Sequence, residues 1–172
     1  ELRKNRPNPI STRQIVGDMY HITTLPGTEE TTQFYKELYE DTVERVEKKL
    51  GVGYEEKFRL VWDNIPIWHD LELIDYFEER GMIFVYETYF TAYWAKKFMT
   101  DDIFESLALK YLTSWTNTRL PHKIKIMRDV VKDFQIDGIA VFENKGCRAY
   151  STGQLDVAAT LNEEFGIPYL AM

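Results

Sequence analysis

Cysteine is nearly absent from this chain: there is one among 172 residues, Cys147. A single thiol closes no internal disulfide, which fits an intracellular, reducing compartment and leads us to expect a cytoplasmic protein. It also excludes a self-contained iron–sulfur site, because a cluster needs several thiolates. Histidine is scarce as well, and His21, His69 and His122 lie too far apart for zinc-ligand spacing. No apolar run reaches bilayer-spanning length and no signal peptide opens the sequence, so no membrane partner is expected. Basic residues are outnumbered, 21 against 28 acidic, for a net charge of −7. A chain so acidic lacks the broad basic footprint of a nucleic-acid binder, and no such partner is expected. There is no glycine-rich phosphate loop, since Gly51-Val52-Gly53 ends a helical pattern instead of following a strand. No Gly-x-Ser-x-Gly nucleophile elbow occurs.

What is present is the composition of a globular domain, with 44% hydrophobic and 28% charged residues. Aromatic residues reach 15%, including four Trp and eleven Tyr, which points to stacking surfaces or a large interface beyond core filling. The lead-in ELRKNRPNPI, with two prolines and three cations, reads as extended. Ser11 with Gln14 caps a short helix, and Thr28 caps a long one in which Phe34, Leu38, Thr42, Val46 and Leu50 recur every four residues. Residues 1–57 therefore read as a helical subdomain or linker. From residue 58 apolar runs alternate with helical patterns: strands at 58–62, 82–86, 138–142 and 167–172. Helices are expected after Asp70, at about 92–99 and 102–114, from Pro121, and from Ser151. That alternation predicts an α/β domain over 58–172, doubly wound around a mainly parallel, Rossmann- or flavodoxin-like sheet. A last strand with no closing helix reads as part of a longer polypeptide.

The loops after three strands, 63–68, 87–94 and 143–151, are expected to meet in one crevice, where open α/β sheets bind ligands. They carry Asp63, Asn64, Trp68, Glu87, Tyr89, Asn144, Cys147, Arg148 and Ser151. A thiol, a carboxylate and flat aromatic walls suit a small organic substrate beside a metal or radical centre. Cys147 has Lys145 and Arg148 beside it and the Ser151-x-x-Gln154 helix start after it, surroundings that favour a thiolate. The alternative for Cys147 is an inert small hydrophobe, and for Glu87 a solvated or salt-bridged carboxylate. Trp62 and Trp68 read first as packing residues.

The stretch Asn144-Lys145-Gly146-Cys147-Arg148-Ala149-Tyr150-Ser151-Thr152-Gly153-Gln154-Leu155-Asp156 resembles the Asn-Arg-x-Cys-Lys-x-Tyr-Ser-x-Gly-Gln-x-Asp stretch of the 2-hydroxyacyl-CoA dehydratase and benzoyl-CoA reductase family. Leu60 to Trp68 (LVWDNIPIW) is similar to its LLWEGIPxW segment, and Val85-Tyr86-Glu87-Thr88-Tyr89 with Trp94 to its VxExYT…W segment. The lead-in RPNPIS also fits. The resemblance implies the catalytic subunit of an oxygen-sensitive enzyme with a [4Fe-4S] cluster, acting on an acyl-CoA or aroyl-CoA thioester. It implies two partners, a homologous catalytic subunit and an ATP-hydrolysing iron–sulfur activator. Cys147 matches one cluster ligand, and the other ligands would lie outside this segment. Glu87 is carried as a catalytic candidate, with Asn64, Trp68, Tyr89, Asn144 and Ser151 as substrate contacts. The aromatic loops lean towards benzoyl-CoA reduction, with 2-hydroxyacyl-CoA dehydration as the alternative. A non-catalytic or electron-transfer subunit, or a binding module with an idle cysteine, is the remaining possibility.

Overall fold

Four short runs rich in apolar residues form the strands β1 (Phe58–Asp63), β2 (Met82–Glu87), β3 (Gly138–Val141) and β4 (Tyr169–Ala171) of one parallel sheet. The computed structural model describes residues 1–91 and 101–172. The sheet order is β2-β1-β3-β4, so the chain winds outward from β1 in one direction and then in the other. The gap beyond the ends of β1 and β3 is consequently the topological switch point of an open α/β sheet. The helices are α1 (Thr12–Thr24), α2 (Glu29–Glu47), α3 (Glu72–Glu78), α4 (Thr88–Thr91), α5 (Ile103–Leu112), α6 (Leu120–Phe134), α7 (Arg148–Ser151) and α8 (Gln154–Phe165). The helix expected at about 92–99, with Trp94, lies outside the described residues.

Side chains alternate across the sheet as the two-residue strand period requires. Val61, Ile83, Val85, Ile139 and Val141 pack on Met127, Val130 and Val131 of α6 and Val157, Ala158 and Leu161 of α8. Leu60, Trp62, Phe84 and Ala140 face the other way, against Val16 and Met19 of α1 and Ile74 and Phe77 of α3. Helices cover both faces, and α1 from the N-terminal helical segment supplies part of one layer. Each fully buried aliphatic or aromatic side chain contributes about 1.5–3 kcal/mol, which makes these two clusters the main source of stability.

Several local signals play out as read. The Ser11 hydroxyl accepts from the Gln14 amide and the Thr28 hydroxyl from the Thr31 amide. Gly81 closes α3 at φ +78, where a Cβ would stand 2.7 Å from the Glu55 carbonyl oxygen, so no side chain fits there. Other signals do not. Asp70 caps nothing: Leu71 is the N-cap of α3 and makes no side-chain cap bond. Helix α2 ends at Glu47, leaving Leu50 beyond it and exposed, while Thr31 and Thr42 are its buried residues. Ser151 does not cap the last long helix either. It ends the one-turn α7, and α8 restarts after Gly153 at φ +78 with no side-chain cap. The buried residues of α8 are Gln154, Val157, Ala158 and Leu161, while Leu155 and Phe165 are 41% and 37% exposed.

The lead-in is tied down rather than free. Arg59 in β1 is 1% exposed, and its guanidinium donates to Glu56 Oε1 at 2.5 Å, Phe134 O at 2.5 Å, Arg3 O at 2.9 Å and Asn5 O at 3.2 Å. Asn8 and Ile10 are buried in turn.

Candidate functional site

The loops after β1, β2 and β3 meet at the switch point through a chain of neutral hydrogen bonds. Asn64 is completely buried and holds φ +95, a left-handed conformation that Asn adopts more readily than most side chains. Its Nδ2 donates to Ser151 Oγ at 3.0 Å and Gln154 Oε1 at 2.7 Å, reaching from the β1 loop to α7 and α8. Its amide donates to Thr88 Oγ1 at 3.0 Å, reaching to the end of β2. Ser151 Oγ donates to Asn144 O at 2.7 Å, and Gln154 Nε2 donates to Phe142 O at 3.1 Å. The polar residues that look like a capping box in sequence have stronger partners here, because an unpaired buried amide or hydroxyl costs more than an uncapped helix end.

This chain of bonds sets the position of Cys147. The Cys147 amide donates to Asn144 O at 3.2 Å, the Ser151 amide to Cys147 O at 3.0 Å, and the Gly146 amide to Asn144 Oδ1 at 2.8 Å. Cys147 is free and partly exposed, and its side chain packs against the edge of the α6–α8 core. Aromatic rings line the same end of the sheet. Trp68, half exposed, meets Tyr89 edge-on at 6.0 Å, and Tyr89 lies 5.3 Å from Tyr150, whose hydroxyl donates to Tyr89 O at 3.4 Å. Trp62, by contrast, is a core residue, 2% exposed.

Two buried ionisable groups, Asp63 and Lys123, stand behind these loops. Asp63 is buried at the end of β1 and accepts from Thr88 Oγ1 at 2.7 Å. Burial pushes its carboxyl up to about 6, against the opposing pulls of Thr88, Lys123 and the Asn64 amide. Lys123 is buried too, and burial lowers its ammonium while the Asp63 charge raises it.

Glu87 lies apart from this group. Its carboxylate is 2% exposed and held by Arg3, whose Nη1 donates to Oε2 at 2.5 Å and Nη2 to Oε1 at 2.7 Å, with the Thr12 hydroxyl as a further donor. It lines an apolar groove of about 600 Å³ beside β2, together with Ile15, Met19, Leu38 and Phe90. None of the described residues lining that groove comes from the loops after β1 or β3. The structure thus brings Asn64, Asn144, Cys147 and Ser151 into one hydrogen-bonded unit, sets Trp68 and Tyr89 beside it, and places Glu87 elsewhere.

The family model for the 2-hydroxyglutaryl-CoA dehydratase D-component matches residues 1–172. The chain belongs to the 2-hydroxyglutaryl-CoA dehydratase D-component family. Among its relatives, a benzoyl-CoA reductase subunit from Thauera aromatica is 28% identical over 183 residues, covering 98% of this chain and 42% of that protein. The alpha subunit of (R)-2-hydroxyisocaproyl-CoA dehydratase from Clostridioides difficile is 26% identical over 168 residues, covering 95% and 40%. The alpha subunit of lactoyl-CoA dehydratase from Anaerotignum propionicum is 21% identical over 178 residues, covering 100% and 41%. This chain spans about two fifths of the length of these curated relatives.

For a member of the D-component family, the residues available here for a metal centre are few. Among the described residues no group of three His, Cys, Asp or Glu side chains could hold a metal ion. A cluster needs several thiolates, so the residues present fit one ligand position and not a whole site. Among the described residues no helix is long and apolar enough to cross a membrane. Three site residues are not among the candidates drawn from the sequence: Thr88 and Gln154, which lie inside the quoted stretches, and Lys123. Thr88 and Gln154 are polar positions at element ends, a signal that capping chemistry also explains. Lys123 sits in an ordinary amphipathic pattern, and nothing local marks it as buried.

Proposed function

We propose that this chain is part of the catalytic subunit of an oxygen-sensitive enzyme acting on a CoA thioester by low-potential electron chemistry, with Cys147 as one thiolate ligand of a [4Fe-4S] cluster. The observation that carries the proposal is the hydrogen-bonded unit of Asn64, Ser151 and Asn144, which holds the loop of the lone thiol at the switch point. Family membership and relatives named as CoA-thioester reductase and dehydratase subunits support the same reading. The cluster, when assembled with ligands from outside this segment, would supply single electrons. The work of this chain is positioning. Asn64 and Ser151 hold the thiol's loop against β1, and the rings of Trp68 and Tyr89 lie beside it, backed by the buried Tyr150. A homologous subunit and an ATP-dependent activator would complete the enzyme.

Those rings suit a planar aroyl group, so we favour reduction of benzoyl-CoA. The dehydratase description of the matching family favours the second reading, loss of water from a 2-hydroxyacyl-CoA. The test is Cys147→Ser in the complete enzyme, purified without oxygen. Serine keeps the size and is a far poorer ligand, so iron, acid-labile sulfide and turnover should fall together. Wild-type iron with full turnover in the presence of the activator would make Cys147 a packing residue. Turnover of benzoyl-CoA against a 2-hydroxyacyl-CoA by the wild-type enzyme separates the two branches.

A further inference from the structure

Three cations gather where the chain as a whole is acidic. Arg119, Lys123 and Arg148 line a cavity of about 680 Å³ between the start of α6 and the α7–α8 turn, and Asp156 is the one carboxylate among its described lining residues. Lys123 is the innermost by burial, 4% exposed. Its ammonium carries three donors, yet among the described residues it reaches one acceptor, Thr152 O at 3.3 Å, and otherwise lies over the Trp115 ring at 5.1 Å. The buried Asp63 carboxyl also acts on it through charge, without a hydrogen bond to it among the described residues, so the ammonium keeps donors for an anion in the cavity. Helices α6 and α8, of 15 and 12 residues, both begin at this cavity, and neither Arg119 nor Gly153 offers a side-chain cap to the first-turn amides. Their positive dipole ends add to the same field. Arg119 and Arg148 are exposed, free to turn towards a ligand, and guanidinium forks match phosphate oxygens in pairs.

We propose that this cavity binds the phosphate groups of a phosphorylated ligand, and that the ligand is the CoA part of the thioester. The phosphate chemistry follows from the cavity; its assignment to CoA rests on the proposed function. Arg148 follows Cys147 directly, so a phosphate held here would anchor the remote end of the substrate against the helix turn that carries the thiol. Binding energy gathered far from the reacting atoms is what orients a thioester beside a reactive centre.

The experiment is titration calorimetry on the complete enzyme, without oxygen, using CoA, dephospho-CoA, pantetheine and inorganic pyrophosphate. Arg119→Gln lies on the α6 side and leaves the Cys147 loop as it is. It should weaken CoA roughly ten- to hundredfold. Pantetheine, which lacks phosphate, should bind both proteins alike, and pyrophosphate should compete with CoA in the wild type. A loss with CoA that dephospho-CoA does not show would place the 3′-phosphate at Arg119; an equal loss with both would place the pyrophosphate there. Asp156→Asn removes the one carboxylate and should tighten CoA roughly two- to fivefold, a gain that misfolding cannot imitate. Unchanged CoA affinity in both variants would overturn the phosphate site while leaving the proposed function standing. Pyrophosphate binding that depends on Arg119, in an enzyme that ignores CoA, would keep the anion site and overturn both the CoA assignment and the proposed function.

Discussion

The two ends of β1 meet the same problem, buried polar groups at a strand terminus, with opposite chemistry. At its start Arg59 is a full charge, 1% exposed, answered by Glu56 and by carbonyls of the lead-in and of α6. At its end the groups are largely neutral: Asn64, Thr88, Ser151 and Gln154 exchange hydrogen bonds, and the one acid, Asp63, is pushed up to about 6 by burial. The charged end is closed on itself and serves the fold. The neutral end carries a left-handed residue, a protonatable acid and a thiol beside it, features that cluster where ligands bind.

The comparison can be broken most forcefully at the charged end. Arg59→Met leaves Glu56, whose side chain is 4% exposed, to the more exposed Arg6 and the Asn8 amide, and orphans the carbonyls of Arg3 and Phe134. Breaking a buried pair of this kind costs up to about 3–5 kcal/mol. The expected result is a lower urea midpoint with lost protection of residues 1–10 in hydrogen exchange. A midpoint within experimental scatter of wild type would show that Arg59 is not the anchor.

The acid at the other end predicts a pH effect of definite sign. Burial raises Asp63 to about 6 and Glu78, on α3, to about 7, whereas both carboxyls titrate near 4 in the unfolded chain. The native state therefore holds more protons than the unfolded state across that interval, and stability falls as pH rises through it. The contribution is fully present below about pH 4 and is lost as pH rises past the native values. Asp63→Asn should remove the Asp63 part of the slope, on the order of 3 kcal/mol between pH 4 and 7. Urea midpoints of both proteins from pH 4 to 8 check this; parallel curves would clear Asp63 of the effect.

A smaller and more local change should follow Asn64→Ala. Three side-chain bonds are lost, two donated by Nδ2 and one accepted by Oδ1 from the Ile65 amide, and alanine must hold a positive φ, at a cost of about 1–3 kcal/mol. Amide exchange over 144–151 should accelerate while the Arg59 end of β1 keeps its protection. Equal loosening at both ends would mean that β1 responds as one unit and that its two ends are not separate devices.

Much of the frame is legible in the residues. The alternation of apolar runs with helical patterns predicts parallel strands, and the pairing of 58–62 with 82–86 is parallel. Ser11 and Thr28 cap their helices because their partners are three residues away. Ser151 mimics that signal, yet its hydroxyl accepts from Asn64, 87 residues distant. A local motif and a long-range contact can use the same side chain, and only the energy of burial decides between them. Glu87 shows the same limit. Its neighbours in sequence resemble a family motif, while the partner that holds its charge, Arg3, lies 84 residues upstream.

The sequence by itself determined the α/β winding and put the lone thiol on the loop after the third strand, because strand and helix periods and turn residues are local properties. Only the tertiary structure decided that Asn64 would hold that loop, that Arg59 would tie the lead-in to the sheet, and that Lys123 would lie buried beside Arg119 and Arg148. Each depends on sheet order and register bringing together groups separated by tens of residues, and buried polar atoms accept whichever partners that arrangement supplies.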